Sequence, residues 1–300
     1  MRCCLLVLTS DNMFPLLVTA LLFFESPKDV GSGPIREATK ELKEDWFTRA
    51  LKYMESNPET LEELMNKKVA MSEGDIMLSS DRNAVGSMWP TLEIPYVISP
   101  ELASHTDDIL SAMAMVSQHT CVSFHKRTSE TNYLFFKASK GCSSYVGFIG
   151  GEQDVFIGPS CAMGNVVHEV LHALGFHHEH TRMDREEYIT ILPHNIMEGM
   201  EKNFNKLPGQ TFGLRYDITS IMHYGSAFFS VNSLPTIVPK GDAKDMGQRN
   251  KMTATDIERV RLLYHCDTPD KDLKKEGSIV EKEGNARDLI HDVVFGLTVK

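Results

Sequence analysis

His168, Glu169, His172 and His178 are the residues with the plainest chemical potential in this sequence, and all lie in the stretch HEVLHALGFHHEHTRMDR, His168 to Arg185. His168 and His172 stand four apart in an apolar run, a spacing that stacks two imidazoles on one helix face, one turn above the other. They supply two of the four positions of a tetrahedral zinc site. Glu169 sits on the same turn, where its carboxylate reaches a water at the ion without ligating the ion itself. Gly175 follows one turn after His172. A glycine there can adopt the left-handed conformation that ends a helix, so the chain doubles back and brings His178 to the same ion as a third ligand. HExxH alone arises by accident in about a few chains in a hundred, and the added Gly175 and His178 at fixed offsets lower that to roughly one in ten thousand.

The pattern HExxHxxGxxH is the metzincin signature. Its continuation GFHHEHTRMDR, with Phe176, Glu179, Arg182, Asp184 and Arg185, resembles the astacin branch of those zinc endopeptidases, with Glu186 where the branch usually carries Asp. The resemblance covers roughly residues 70 to 266 and is to short single-domain members of the fish hatching-enzyme and six-cysteine type. It implies one Zn2+ per chain, held by His168, His172 and His178, with Glu169 as general base for hydrolysis of internal peptide bonds. SIMHYG, from Ser220, resembles the family's Met-turn, in which Met222 is the apolar floor under the histidines. Tyr224 then corresponds to the tyrosine that can join the ion as an additional ligand at rest and swing away to hydrogen-bond the tetrahedral intermediate. On residue types alone, a Met beside His and Tyr is a core-packing pattern; the upstream signature reverses that weighting. His177, His180 and His223 are expected to be bystanders.

Two other readings compete. A thermolysin-type site needs a downstream Glu as third ligand in place of His178, and the GxxH offset speaks against it. A catalytically inactive astacin-fold binding protein of an egg coat or extracellular matrix would not need the complete catalytic set, and the three histidines, Glu169 and Tyr224 are all present.

The elements that must position this set read as α+β. From Trp89 to about Gly150 the pattern alternates. EIPYVIS, VSFHKR and YLFFKAS are strand-like, DDILSAMAMVSQ has helical spacing of Ile109, Met113 and Val116, and YVGFIGGEQDVFIG looks like a strand, a Gly-Gly turn and an edge strand. The resemblance implies an upper mixed sheet with helices, including the zinc helix at about Asn165 to Gly175, whose last strand borders the cleft and pairs with extended substrate. Residues 186 to 250 are irregular and form the lower wall. TATDIERVRLLYHC carries Thr255 and Glu258 in capping-box spacing and predicts a C-terminal helix.

The segments outside this core suggest processing. Residues 1–25 contain an apolar run, MFPLLVTALLFF, of signal-peptide length and too short to span a bilayer, so secretion without a stable membrane anchor is expected. Residues 26–82 are charged and locally helical, with Asn57 and Pro58 as a helix start, and read as a propeptide. Within it, SEGDI places Asp75 after Gly74. This resembles the family's FxGD inhibitory motif, whose carboxylate takes the water's position on zinc, although Ser72 stands where the family has Phe. A trypsin-like activating protease would cut after Arg82, and the new terminus at Asn83 would fold inward to Glu179, by analogy with the family. The catalytic domain is then 83–267, and 268–300 is a charged tail without a sustained apolar face. No EGF-like or CUB-like cysteine pattern follows Cys266, so a single catalytic domain is expected.

Composition adds limits. Of six cysteines, Cys121, Cys142, Cys161 and Cys266 are dispersed without CxxC spacing, which excludes zinc-finger and thioredoxin readings and suggests two disulfides of an oxidising compartment. Spacing leaves three pairings open; the astacin resemblance implies Cys142 with Cys161 and Cys121 with Cys266. The formal charge of -10 argues against nucleic-acid partners. Extended protein or peptide substrates and a monomer are expected.

Overall fold

Period-two alternation in YLFFKA folds as strand β5, Tyr133–Ala138, with Leu134 and Phe136 fully buried. β7, Glu152–Ile157, alternates in the same way, and β3, Glu93–Ile98, and β4, Ser123–Lys126, join them without that alternation. These four run parallel, and β6, Ser143–Tyr145, lies antiparallel to β7. In this computed structural model, residue 48 and residues 52–65, 71–77, 88–242 and 244–267 are described. The expected export segment 1–25, Arg82, Asn83 and the tail 268–300 lie outside them.

An N-terminal segment extends the sheet. Pro58–Met65 forms helix α1, starting where Asn57 and Pro58 predict. Met71–Glu73 and Ile76–Met77 form strands β1 and β2, joined by a turn at Gly74 and Asp75. β2 pairs in parallel with β6, Ile76 opposite Ser144 and Met77 opposite Tyr145, giving one seven-stranded sheet of order β1-β2-β6-β7-β5-β3-β4.

One sequence expectation needs correction. The strand EQDVFIG, expected at the sheet edge, is interior: β7 pairs with β5 on one side and β6 on the other. Alternation of Gln153, Val155 and Ile157 reports which face is buried. It carries no information on whether backbone groups are paired along both sides. Beyond β7 the sheet continues through β6 to β2.

A parallel connection needs a crossover, and Thr106–His119 supplies it as helix α2 between β3 and β4. Its buried Ile109, Ala112, Met113 and Val116 recur at helical spacing and join the main core with the sheet and helix α3, Met163–Ala173. A second apolar cluster, including Ile189, Phe204, Tyr216, Tyr224, Phe229 and Ile237, organises the mostly irregular lower half around a short β8–β9 pair, Ile189–Ile191 with Ile237–Pro239. The predicted C-terminal helix is α4, Ala254–Leu263. Its capping box is Thr253 with Asp256, two residues before the expected Thr255 and Glu258. Both pairs have the right spacing; Asp256 is buried against Ser220 and Ile221, whereas Glu258 is exposed. Disulfides join Cys121 to Cys266 and Cys142 to Cys161, the pairing the resemblance implies.

Candidate metal centre and catalytic site

Helix α3 runs through the interior, with every residue from Gly164 to Ala173 buried, which explains its apolar sequence. At its start the Asn165 side chain accepts from the Ala162 N–H at 3.0 Å. At its end Phe176 N–H donates to Leu171 O and Gly175 N–H to His172 O, the two bonds of a Schellman motif, with Gly175 at φ 113°. The chain reverses as the spacing predicts and delivers His178 beside His168 and His172.

Backbone carbonyls set the tautomers of the two helical histidines. His168 Nδ1–H donates to Ile221 O at 2.7 Å and His172 Nδ1–H to Phe176 O at 2.6 Å, which leaves the Nε2 lone pairs facing inward. The three Nε2 atoms are 3.0 Å (His168–His172), 3.3 Å (His168–His178) and 3.2 Å (His172–His178) apart. Ligands about 2.0–2.1 Å from a tetrahedral zinc ion stand about 3.3–3.4 Å from one another, so the triangle fits. Burial holds His172 down at about 4 and also lowers His168, so both rings are neutral near pH 7.

Asp75 closes the fourth side. Its carboxylate oxygens lie 3.1 Å from His168 Nε2 and 3.0 Å from His178 Nε2, with all three side chains fully buried. Burial opposes charge on Asp75, but its contacts with His178, His172 and His168 outweigh that and hold the carboxyl well below its usual range. A group of electron-pair donors this close, in a dry interior, is the donor set of a cation. Asp75 is held there from both sides: Ser144 N–H donates to Asp75 O, and Gly74 N–H donates to Asn203 Oδ1 at 3.2 Å.

Met222 lies in the main core, and its carbonyl accepts from Glu179 N–H at 3.0 Å, tying the turn after His178 to the segment below the histidines. Tyr224 is buried between rings, its centroid 4.5 Å from His178 and 3.9 Å from a nearly parallel His180. A Cβ on Gly74 would stand 2.5 Å from the Tyr224 hydroxyl, so that hydroxyl lies directly against the N-terminal segment. Glu169 is fully buried and shares a cluster with His168 and Glu59. The expected bystanders stay outside the metal cluster. His180 Nε2–H donates to Asn203 O at 2.9 Å. His223 accepts from the Tyr216 hydroxyl at 2.7 Å and is held down at about 4 by burial.

Glu179 is a buried carboxylate, and it already has partners: Arg259 at 2.6 Å, Arg182 at 3.2 Å and Asp217 N–H at 2.7 Å. Burial still raises its pKa despite Arg259. Asn83, expected to reach it, lies outside the described residues. Sequence reasoning missed Arg259, which sits on the buried face of α4 next to Val260. It also missed Glu59 of α1, 2% exposed, whose carboxylate pairs with Arg249 at 2.5 and 2.9 Å and accepts from Asn165 Nδ2 at 2.8 Å. Glu59 reads as an ordinary first-turn acid, and no local signal marks Arg249.

Residues 81–265 match the model of the astacin peptidase family. Zinc metalloproteinase nas-15 of Caenorhabditis elegans is 37% identical over 216 residues, covering 70% of this chain and 38% of that protein. Blastula protease 10 of Paracentrotus lividus is 43% identical over 196 residues, covering 60% of this chain and 32% of its own length. The chain thus spans about a third of the length of these relatives. Among solved structures, high choriolytic enzyme 1, a hatching enzyme zinc-protease from Oryzias latipes, aligns with a TM-score of 0.57 at 35% identity, covering 64% of this chain and 99% of that one. A family match that runs from before β3 to the end of α4 takes in the three histidines, the turn at Met222 and the Cys142–Cys161 disulfide: the chain belongs to the astacin family of zinc-dependent peptidases.

Proposed function

We propose that this chain is a secreted zinc endopeptidase made as a latent precursor, which hydrolyses internal bonds of extended protein or peptide substrates. The observation that carries this reading is the triangle of His168, His172 and His178 Nε2 atoms closed by Asp75 from the N-terminal segment. When bound, zinc supplies a Lewis acid that polarises a carbonyl and lowers the pKa of a water to about 7. Three neutral imidazoles leave its charge intact, and the carbonyls of Ile221 and Phe176 fix two of the rings. Glu169 accepts the proton of the attacking water and passes it to the leaving amine. The Tyr224 hydroxyl donates to the oxygen on which negative charge develops, and Met222 supports the histidines from below. Strand β6 offers its edge to the backbone of an extended substrate once β2 has left it.

On this reading residues 1–25 are the signal peptide, 26–82 the prosegment, 83–267 the catalytic domain and 268–300 a tail. Asp75 would help His168, His172 and His178 hold the ion until a trypsin-like protease cuts after Arg82 and the new ammonium of Asn83 joins Arg259 and Arg182 around Glu179. Secretion is supported by the two disulfides, which belong to an oxidising compartment. No helix among the described residues is long and apolar enough to cross a membrane. The test is Glu169→Gln in the processed enzyme: zinc content and fold are retained and turnover falls by about 10²-fold or more. Peptidase activity at the parental level would sink the assignment.

A further inference from the structure

The carbonyl that orients His168 belongs to a longer chain of hydrogen bonds. His168 Nδ1–H donates to Ile221 O at 2.7 Å. The N–H of the same peptide unit, on Met222, donates to Ser220 Oγ at 3.0 Å. The Ser220 hydroxyl donates to Asp256 Oδ1 at 2.5 Å, and Asp256 Oδ2 accepts from Ile221 N–H at 3.0 Å and from Thr253 N–H at 2.9 Å. Ser220 and Ile221 are fully inaccessible and Asp256 is 3% exposed, so solvent does not interrupt the chain.

We propose that Asp256 and Ser220 are positioning residues of the metal centre, with Asp256 acting as a remote carboxylate partner of His168 through Ser220 and the Ile221–Met222 peptide. The inference rests on the metal site proposed above. Each donor in the chain polarises the next in one direction, from His168 to the carboxylate. The donors recorded on Asp256 are the Ser220 hydroxyl and two backbone N–H groups, all neutral. Its negative charge is therefore passed toward the imidazole, which raises the electron density at His168 Nε2. A carboxylate directly on a ligating histidine does the same at one remove fewer. The bidentate grip on Ser220 Oγ and Ile221 N–H also fixes the direction of the Ile221 carbonyl, and with it the plane of the His168 ring. Asp256 thus serves two ends, closing the capping box of α4 and holding a ligand 88 residues earlier in the chain.

The full chain is loaded with zinc and titrated with a competing chelator. Ser220→Ala and Asp256→Asn each weaken zinc binding by about 10- to 100-fold, and the double variant is no weaker than the poorer single one, because either break opens the same series. Thr253→Ala removes the helix cap without touching the relay. It lowers the unfolding midpoint of the zinc-free chain while zinc affinity stays within about twofold of the parent. If Asp256→Asn fails to fold, Ser220→Ala carries the comparison alone. Parental zinc affinity in Ser220→Ala, or an equal loss in Thr253→Ala, overturns the relay. His168→Ala sets the floor of the assay; binding as tight as the parent's there would overturn the metal site itself.

Discussion

Glu59 and Asp75 are two carboxylates of one segment that reach the catalytic half by different means, one through an arginine and one through the metal-site histidines. Burial pushes the Glu59 carboxyl up, but the attraction of Arg249, aided by His168, brings it below its ordinary value of 4.5. A depressed carboxylate stabilises the fold above its unfolded pKa and loses that contribution only as pH falls through the lower folded value. The Glu59–Arg249 pair therefore holds α1 in place at pH 5–7, and acid weakens it only below about 4.5. Glu59→Gln leaves Arg249 buried without its charge partner, at a cost on the order of 3 kcal/mol to the docking of α1. The uncleaved Glu59→Gln precursor should then show partial peptidase activity and faster amide exchange in residues 58–65, while Asp75→Ala should show the larger gain in activity. A Glu59→Gln precursor with parental latency and parental exchange would remove Glu59 from the lock.

At the scale of elements, the β1–β2 turn is the piece that sets Asp75 in place. Gly74 has φ +67° and no room for a side chain, since a Cβ would meet the Tyr224 hydroxyl at 2.5 Å and the Phe229 ring at 3.1 Å. Alanine there incurs about 1–3 kcal/mol of backbone strain in addition to the clash. Gly74→Ala should raise the activity of the uncleaved precursor and leave the processed enzyme unchanged, since on the proposed processing the residue departs with the prosegment. Equal latency of the variant and parent precursors would speak against this turn as the lock. The turn and helix α3 were legible in the sequence because their chemistry is local: four-residue spacing and Gly175 specify the helix and its reversal, and a GD dipeptide marks the turn. Glu59 with Arg249, and Asp256 with Ile221, were not legible, because pairs 190 and 35 residues apart leave no periodicity to read. The interior place of β7 was hidden for a related reason, as side-chain alternation is silent about backbone pairing.

For the whole molecule, two apolar clusters of unequal size form the core, and the described N-terminal segment is bound to the parts built on each. β2 adds to the upper sheet, while Lys202 Nζ donates to Met71 O at 2.9 Å and Asn203 Nδ2 to Glu63 at 2.6 Å from below. The Cys121–Cys266 bridge spans 145 residues and ties the end of α4 to the start of β4; Cys142–Cys161 spans 19. Closing the longer loop removes more entropy from the unfolded chain, so Cys121→Ser with Cys266→Ser should lower stability by about 2–5 kcal/mol in chemical denaturation, more than Cys142→Ser with Cys161→Ser. The reverse ranking would show that strain or residual structure dominates over loop length.

The pairing of β2 with β6 also bears on how the protein survives its own synthesis. With β2 gone, β6 would present a row of unpaired N–H and C=O groups beside the catalytic cleft, and an open strand edge is a template for any other extended chain, including another copy. The edge proposed to capture a polypeptide would thus also be an aggregation hazard. On the proposed function, a prosegment that keeps that edge paired during folding and transit would be a built-in chaperone as well as an inhibitor.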